Sequence, residues 1–164
     1  MDAARLFAEH HASLFRYLSR LTGNPDVAAD AAQEAFVKLL EKPPQPGETR
    51  AWLFRVGTNA ARLAERTRGR RLRLLENRPE RAPVGDAPPT PDDALDAAET
   101  RRRVREAMEI LSERDRTMLL MREEGFSHRE IAEAVGTTTG SVGTMIARAL
   151  DKLATRLQLD EEAR

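Results

Sequence analysis

The chain has 164 residues, of which 40% are hydrophobic, 33% charged and 4% aromatic. This balance excludes a disordered chain, and no apolar run approaches the roughly 20 residues that span a bilayer. With no cysteine, disulfides and thiolate zinc sites are excluded. Because leucine and alanine dominate the apolar residues, we expect an all-α protein. The lack of cysteine, of a signal peptide and of an apolar span predicts a cytoplasmic location without membrane contact.

The first two helices are predicted by their start and stop signals. The first runs over about residues 2–21, with Gly23 as its stop. Asn24 and Pro25 then supply a cap and a first-turn proline for a second helix. That helix ends before Pro43.

A third helix is predicted over Arg50–Arg68, with Thr49 as its cap and Gly69 as a weak point. At 100° per residue, an arc of about 80° holds Arg55, Asn59, Arg62, Arg66, Arg70 and Arg73. The adjoining arc, predicted to face the core, holds Leu53, Val56, Ala60, Leu63 and Leu74.

Charge is concentrated on this third helix. The whole chain has a net charge of zero, but residues 1–75 hold 13 Lys/Arg and 8 Asp/Glu, a net of +5. Residues 50–73 alone hold eight arginines and one acid, Glu65. A row of guanidinium groups suits a phosphate backbone. A solvated charged surface is the alternative, although salt-bridged helices usually alternate in sign.

Residues 76–89 are rich in proline and have no apolar period, which predicts a flexible linker. The linker divides the chain into two small helical domains, residues 1–75 and 90–164. The second domain begins with Thr90 as a cap followed by proline, and its first helix ends near Ile110.

The second domain also holds a predicted helix-turn-helix. After a helix over about residues 112–125, a capping box starts a short helix, Ser127–Val135, that stops at Gly136. The turn Thr137–Thr139 leads into a last helix ending near Leu157, after which no further domain is expected. Its apolar stripe is Val142, Ile146, Leu150, Leu153 and Leu157. Its outward face is Gly140, Ser141, Thr144, Met145, Arg148 and Lys152. A helical hairpin that contacts only protein is the alternative.

The sequence predicts no metal, no cofactor and no enzymatic activity. His10 and His11 point about 100° apart on a helix and cannot chelate one metal. His128 lies in a capping turn, and we interpret all three histidines as surface residues. No phosphate loop or nucleophile motif is present.

Several segments, taken in order, resemble one family. Asp26–Phe36 (DVAADAAQEAF) is similar to its "DAEDLVQEVF" segment, and Arg50–Val56 with Asn59 resembles "AWLFRIARN". Leu111–Arg116 and Gly125–Ala132 are similar to "LPERYR" and "GLSYEEIA". These are region 2 and region 4 segments of the small, extracytoplasmic-function (ECF) sigma factors of bacterial RNA polymerase.

The resemblance implies that the chain directs core polymerase to promoter DNA. The clamp helices of the largest polymerase subunit would be gripped by Asp30, Gln33, Glu34 and Phe36. The melted −10 element would be held by the loop at residues 42–49 together with Arg55, Asn59, Arg62, Arg66 and Arg70. The −35 element would be contacted by Thr138, Thr139, Ser141, Thr144, Met145 and Arg148. Family members are often held inactive by an anti-sigma factor.

The last helix departs from the family pattern at two positions. Gly143 and Met145 stand where basic residues are common, so we expect a weak −35 contact and promoter choice that depends on the −10 contacts. Two other functions remain open. One is a stand-alone helix-turn-helix regulator, and the other is an adaptor that mimics or sequesters sigma factors without binding DNA.

Overall fold

The computed structural model describes residues 2–75 and 91–162, and within these ranges every regular element is an α-helix. The helices are α1 (Ala3–Thr22), α2 (Pro25–Glu41), α3 (Thr49–Leu75), α4 (Pro91–Met108), α5 (Glu113–Glu123), α6 (His128–Val135) and α7 (Thr139–Glu162). They divide into two compact units, unit 1 with α1–α3 and unit 2 with α4–α7. The predicted linker, residues 76–89, and the predicted cap Thr90 lie outside the described residues.

The ends of α1 and α2 follow the predicted signals. The side chain of Asp2 accepts a backbone hydrogen bond in the first turn of α1. Gly23 ends α1 at φ 64°, in the left-handed region that glycine adopts without steric cost. The side chain of Asn24 then accepts from the N–H groups of Asp26 and Val27. These caps pair N–H groups that have no partner within the helix, which fixes both helix starts.

The core of unit 1 lies between α1, α2 and α3, each of which packs on the other two. Tyr17 and Phe54 are fully buried, with ring centroids 4.9 Å apart. The Tyr17 hydroxyl lies 2.8 Å from Thr58 Oγ1, which itself donates to the carbonyl of Phe54. A Cβ on Gly57 would lie 3.2 Å from a methyl carbon of Leu18. The missing side chain at Gly57 therefore lets α1 and α3 pack closely.

Helix α3 is longer than the sequence predicted. Thr49 is its first helical residue rather than its cap, and the helix continues through Gly69 to Leu75. A single glycine costs a helix about 1 kcal/mol. The arginines and leucines around Gly69 are good helix formers, so the weak point does not end the helix.

Unit 2 contains the predicted helix-turn-helix as α6 and α7. The Ser127 hydroxyl accepts from the N–H of Glu130 (3.3 Å), and the Glu130 carboxylate accepts from the N–H of Ser127 (2.8 Å). Gly136 ends α6 at φ 70°. Ile131 of α6 and Val142 of α7 are fully buried. The capping box and the glycine therefore define the two ends of α6, and its apolar side packs in the core.

Two predictions for α7 are wrong. The helix ends at Glu162 rather than near Leu157. Leu150, predicted on the apolar stripe, is 49% exposed, whereas Ala149 is fully buried. From the buried Ile146 the core-facing spacing continues by three residues rather than four, which turns Leu150 away from the core.

Candidate nucleic-acid interface

The arginine row of α3 lies on the side of the helix opposite the core of unit 1. The buried side includes Leu53, Phe54, Gly57, Thr58, Ala60 and Ala61. Of the predicted row, the exposed side chains are Asn59, Arg66 and Arg70, and the half-buried ones are Arg55 and Arg62. The side chain of Arg73 lies outside the described ones. The structure thus brings the described row residues together on one solvent-facing side.

An apolar strip, formed by Trp52, Val56 and Leu63, lies beside this row and was not predicted from the sequence. Leu63, predicted to face the core, is 63% exposed. On a helical projection it falls between Trp52 and Val56, which are half-buried. The prediction failed because the core side of α3 is centred near Gly57, almost opposite the arginines. Apolar and aromatic groups beside cations are suited to an unstacked nucleic-acid base and its phosphate.

On α2 the predicted docking residues separate into two environments. Asp30, Gln33 and Glu34 are exposed, and Glu34 forms a salt bridge with Lys38 (2.6 Å). Phe36, by contrast, is only 9% exposed. Its ring centroid lies 5.0 Å from that of Phe7 on α1 and 6.1 Å from that of His11. Phe36 therefore packs α2 onto α1 and is not a surface group.

Two exposed apolar residues extend the polar face of α2. Val37 is 47% exposed and Leu40 is 58% exposed. Their spacing from Asp30 and Gln33 places all four side chains on one side of the helix. Val37 and Leu40 were not predicted as docking residues, although the 30-33-37-40 spacing is itself the signal of a shared face. We call these four residues the α2 face.

The predicted −35 residues lie on the first half of α7 and in the turn before it. The exposed ones are Thr138, Thr139, Thr144 and Arg148, and the half-buried ones are Ser141 and Met145. The hydroxyls of Thr138 and Ser141 lie 2.7 Å apart, so they hydrogen-bond to each other. Thr144 and Arg148, one turn apart, remain as the outward polar pair.

Met145 lies on the side of α7 that faces α5. Its sulfur is 3.1 Å from Arg114 Nη2 and 3.8 Å from Thr137 Oγ1. Further along the same side, Lys152 Nζ lies 3.3 Å from Asp115 Oδ2. Arg114 was not predicted at this site, because it is 31 residues from Met145 in the sequence and no local pattern indicates such a contact.

The histidines provide no metal site within the described ranges. No group of three His, Cys, Asp or Glu residues there is arranged to hold a metal ion. His10 is 9% exposed, so its interpretation as a surface residue was wrong. His128 is half-buried, and its Nε2 lies 2.8 Å from Arg122 Nη1. Among the described helices, none has both the length and the apolar character needed to cross a membrane.

Two family models match the chain, one in each unit. The model described as "Sigma-70 region 2" matches residues 6–71, and "Sigma-70, region 4" matches residues 101–153. The first match contains the α2 face and the arginine row as far as Arg70. The second contains α6 and α7 as far as residue 153.

Relatives match over most of the chain. The ECF RNA polymerase sigma factor SigL of Mycobacterium tuberculosis is 31% identical over 158 residues, covering 93% of this chain and 87% of the relative. SigE of Mycolicibacterium smegmatis is 30% identical over 152 residues, covering 90% of this chain but 58% of the relative.

A solved structure has the same fold. The sigma factor RpoE of Bartonella quintana, in complex with the anti-sigma factor NepR, matches with a TM-score of 0.75 at 22% identity, covering 97% of this chain and 98% of that one. The two family models and the 31% identity to SigL carry the assignment. The chain belongs to the ECF family of RNA polymerase sigma factors, which are transcription initiation factors and not enzymes, and it contains sigma-70 regions 2 and 4.

Proposed function

We propose that the chain directs core RNA polymerase to promoters through three surfaces. These are the α2 face, the arginine row with its apolar strip, and the outward side of α7. The observation that carries the proposal is that each unit turns a basic or polar helix side away from its core. Each DNA contact alone is modest. Docking on one polymerase raises the effective concentration of both.

The arginine row is proposed to hold the melted upstream end of the −10 element, together with the loop at residues 42–49. The exposed guanidinium groups of Arg66 and Arg70 would contact phosphates. Leu63, one turn from Arg66, would lie against an unstacked base, and Trp52, about 16 Å along the helix from Leu63, would lie against another base near Arg55. Arg55 and Arg62 are half-buried and are proposed to contribute the contacts at the start of the row.

Helix α7 is proposed to enter the major groove at the −35 element. Thr144 and Arg148 present a hydroxyl and a guanidinium to solvent, and such groups contact base edges and phosphates. Thr138 and Ser141 lie at the helix start, where backbone N–H groups also favour phosphate. Met145 faces α5, so we propose that it supports the DNA contact of α7 without itself touching the DNA.

The α2 face is proposed to dock on the clamp helices of the largest polymerase subunit. Asp30 and Gln33 supply polar contacts, and Val37 and Leu40 supply apolar area. Phe36 would support this surface from within by fixing α2 on α1. A mixed surface of this kind gives both specificity and buried apolar area.

Replacing Asp30 and Gln33 together with alanine should weaken binding to core polymerase. Both side chains are exposed, so the free energy of unfolding should change by only about 0.5 kcal/mol or less. Binding to core can be measured by fluorescence anisotropy of the labelled chain, and stability by urea unfolding.

The matched control for this pair replaces Asp151 and Gln158, an exposed carboxylate and an exposed amide on α7. The control should bind core polymerase as the unsubstituted chain does. Equal weakening by both pairs would contradict docking through α2. Unfolding of the Asp30/Gln33 variant would make these two residues structural.

Two alternatives make different predictions about polymerase. A stand-alone regulator would bind duplex DNA through α7 without core polymerase, and would leave the surfaces of unit 1 unused. A sigma-mimicking adaptor would bind without supporting promoter-specific transcription. We further propose that the protein acts in the cytoplasm with polymerase and DNA, and that an anti-sigma factor restrains it, as NepR binds the structurally similar RpoE.

A further inference from the structure

Arg114 lies against the recognition helix α7, although it belongs to α5. Its Nη2 is 3.1 Å from the sulfur of Met145, and the hydroxyl of Thr137 approaches the same sulfur at 3.8 Å. Arg114 is exposed and Met145 is half-buried. A thioether is a weak acceptor without charge. The contact therefore orients the guanidinium group without neutralising it.

Two cations of α7 lie on the same edge of that helix. Met145, Arg148 and Lys152 fall within an arc of about 60° on a helical projection. Arg148 is exposed, and Lys152 lies 3.3 Å from Asp115 Oδ2. Because Asp115 pairs with Lys152, this edge gains its positive charge mainly from Arg148, and Arg114, held on Met145, adds a second.

The environment of Arg114 differs from that of an arginine already paired with acids. On α4, Arg102 donates to Glu99 and to Glu106, and these carboxylates raise its pKa. Such a group has its charge compensated within the protein. The contact of Arg114 with Met145 is to a neutral sulfur instead, and a guanidinium group has five N–H donors to share.

We propose that Arg114 binds a phosphate of duplex DNA beside the recognition helix, and that Met145 is the positioning residue that holds it there. The inference rests on the proposed contact of α7 with duplex DNA. Arg114 of α5 would then supply the phosphate-binding group beside Met145, a position of α7 that carries no charge.

The test uses the full chain and a mixed-sequence DNA duplex, with affinity measured over a series of salt concentrations. Arg114→Gln should reduce the slope of log affinity against log salt by about 0.9, the value of one duplex phosphate contact. Arg114→Lys should keep the slope, because it keeps the charge. Arg105→Gln, at an exposed arginine of α4, is the matched control and should leave the slope unchanged.

Met145→Leu tests positioning, because it keeps the apolar volume and removes the sulfur acceptor. It should weaken duplex binding in the unsubstituted chain and have no further effect in the Arg114→Gln background, a non-additive pair. Equal slopes for Arg114→Gln and Arg105→Gln would overturn the phosphate contact. Additive effects, or no effect of Met145→Leu alone, would overturn the positioning role. Absence of salt-dependent duplex binding by the unsubstituted chain would instead contradict the proposed contact of α7 with duplex DNA, and would leave docking on polymerase through α2 unaffected.

Discussion

Replacing Arg66 and Arg70 of α3 with glutamine should slow open-complex formation and reduce the salt dependence of promoter binding. Both guanidinium groups are exposed on the side of α3 that faces away from the core. Each lost contact to single-stranded phosphate removes about 0.7 from the slope of log affinity against log salt, so the pair should remove about 1.4. Permanganate footprinting of the holoenzyme on promoter DNA reports the opening, and filter binding reports the slope.

The same helix offers a matched control for this prediction. Arg68 and Arg71 are also exposed, but on a helical projection they point about 100–160° away from Arg66 and Arg70. Replacing them with glutamine makes the same change in net charge and should leave opening nearly unchanged. If both pairs of substitutions slow opening equally, the row acts only as a general positive surface. If neither changes the slope, the arginines form a solvated face without a DNA contact.

Phe54→Ala should unfold most of unit 1 and abolish polymerase binding. The side chain is fully buried, and its ring packs on that of Tyr17. Phenylalanine-to-alanine substitutions in cores cost about 3–5 kcal/mol, a large part of the roughly 5–15 kcal/mol that stabilises a small domain. Amide hydrogen exchange should show lost protection in α1–α3.

Unit 2 provides the internal reference for this substitution, since α4–α7 have their own core. Their exchange protection should remain as it is in the unsubstituted chain. Leu63→Ala, which removes a 63% exposed side chain of the same helix, should shift stability by only about 0.5 kcal/mol. Loss of protection in both units after Phe54→Ala would contradict the division into two units. A large loss after Leu63→Ala would place that residue in a core.

Local signals predicted the helix ends well. Asn24 and Ser127 cap their helices, and Gly23 and Gly136 end theirs, because these residues act on the backbone within a few positions. The exceptions were Thr49, which is helical rather than a cap, the end of α7, which lies at Glu162, and Gly69. The free-energy cost of Gly69 in a helix is small compared with the helix propensity of the residues around it, so α3 continues.

Periodicity was less informative about which side of a helix is buried. In α3 the core side is set by Phe54 and Gly57 where α1 approaches, and the sequence of α3 alone does not contain that contact. The same reasoning applies to Leu150, which the packing of α7 turns toward solvent.

Residues that join distant parts of the chain were the hardest to predict. Phe36 was expected on the polymerase-docking surface, yet its contact with Phe7 across the α1–α2 interface buries it. Arg114 was not expected at the recognition helix, because its contact with Met145 depends on how α5 packs on α7. Helix packing, rather than residue type, decides both.

The most direct test of the central proposal is transcription with purified components. Core RNA polymerase and the chain are incubated with a library of genomic promoter fragments, and the 5′ ends of the transcripts are mapped. The proposed function predicts that the chain makes core polymerase initiate at a defined set of start sites preceded by shared −10 and −35 sequences, and that the Asp30/Gln33 variant does not. If the chain binds core polymerase or duplex DNA but produces no promoter-specific start sites, the proposed function is wrong.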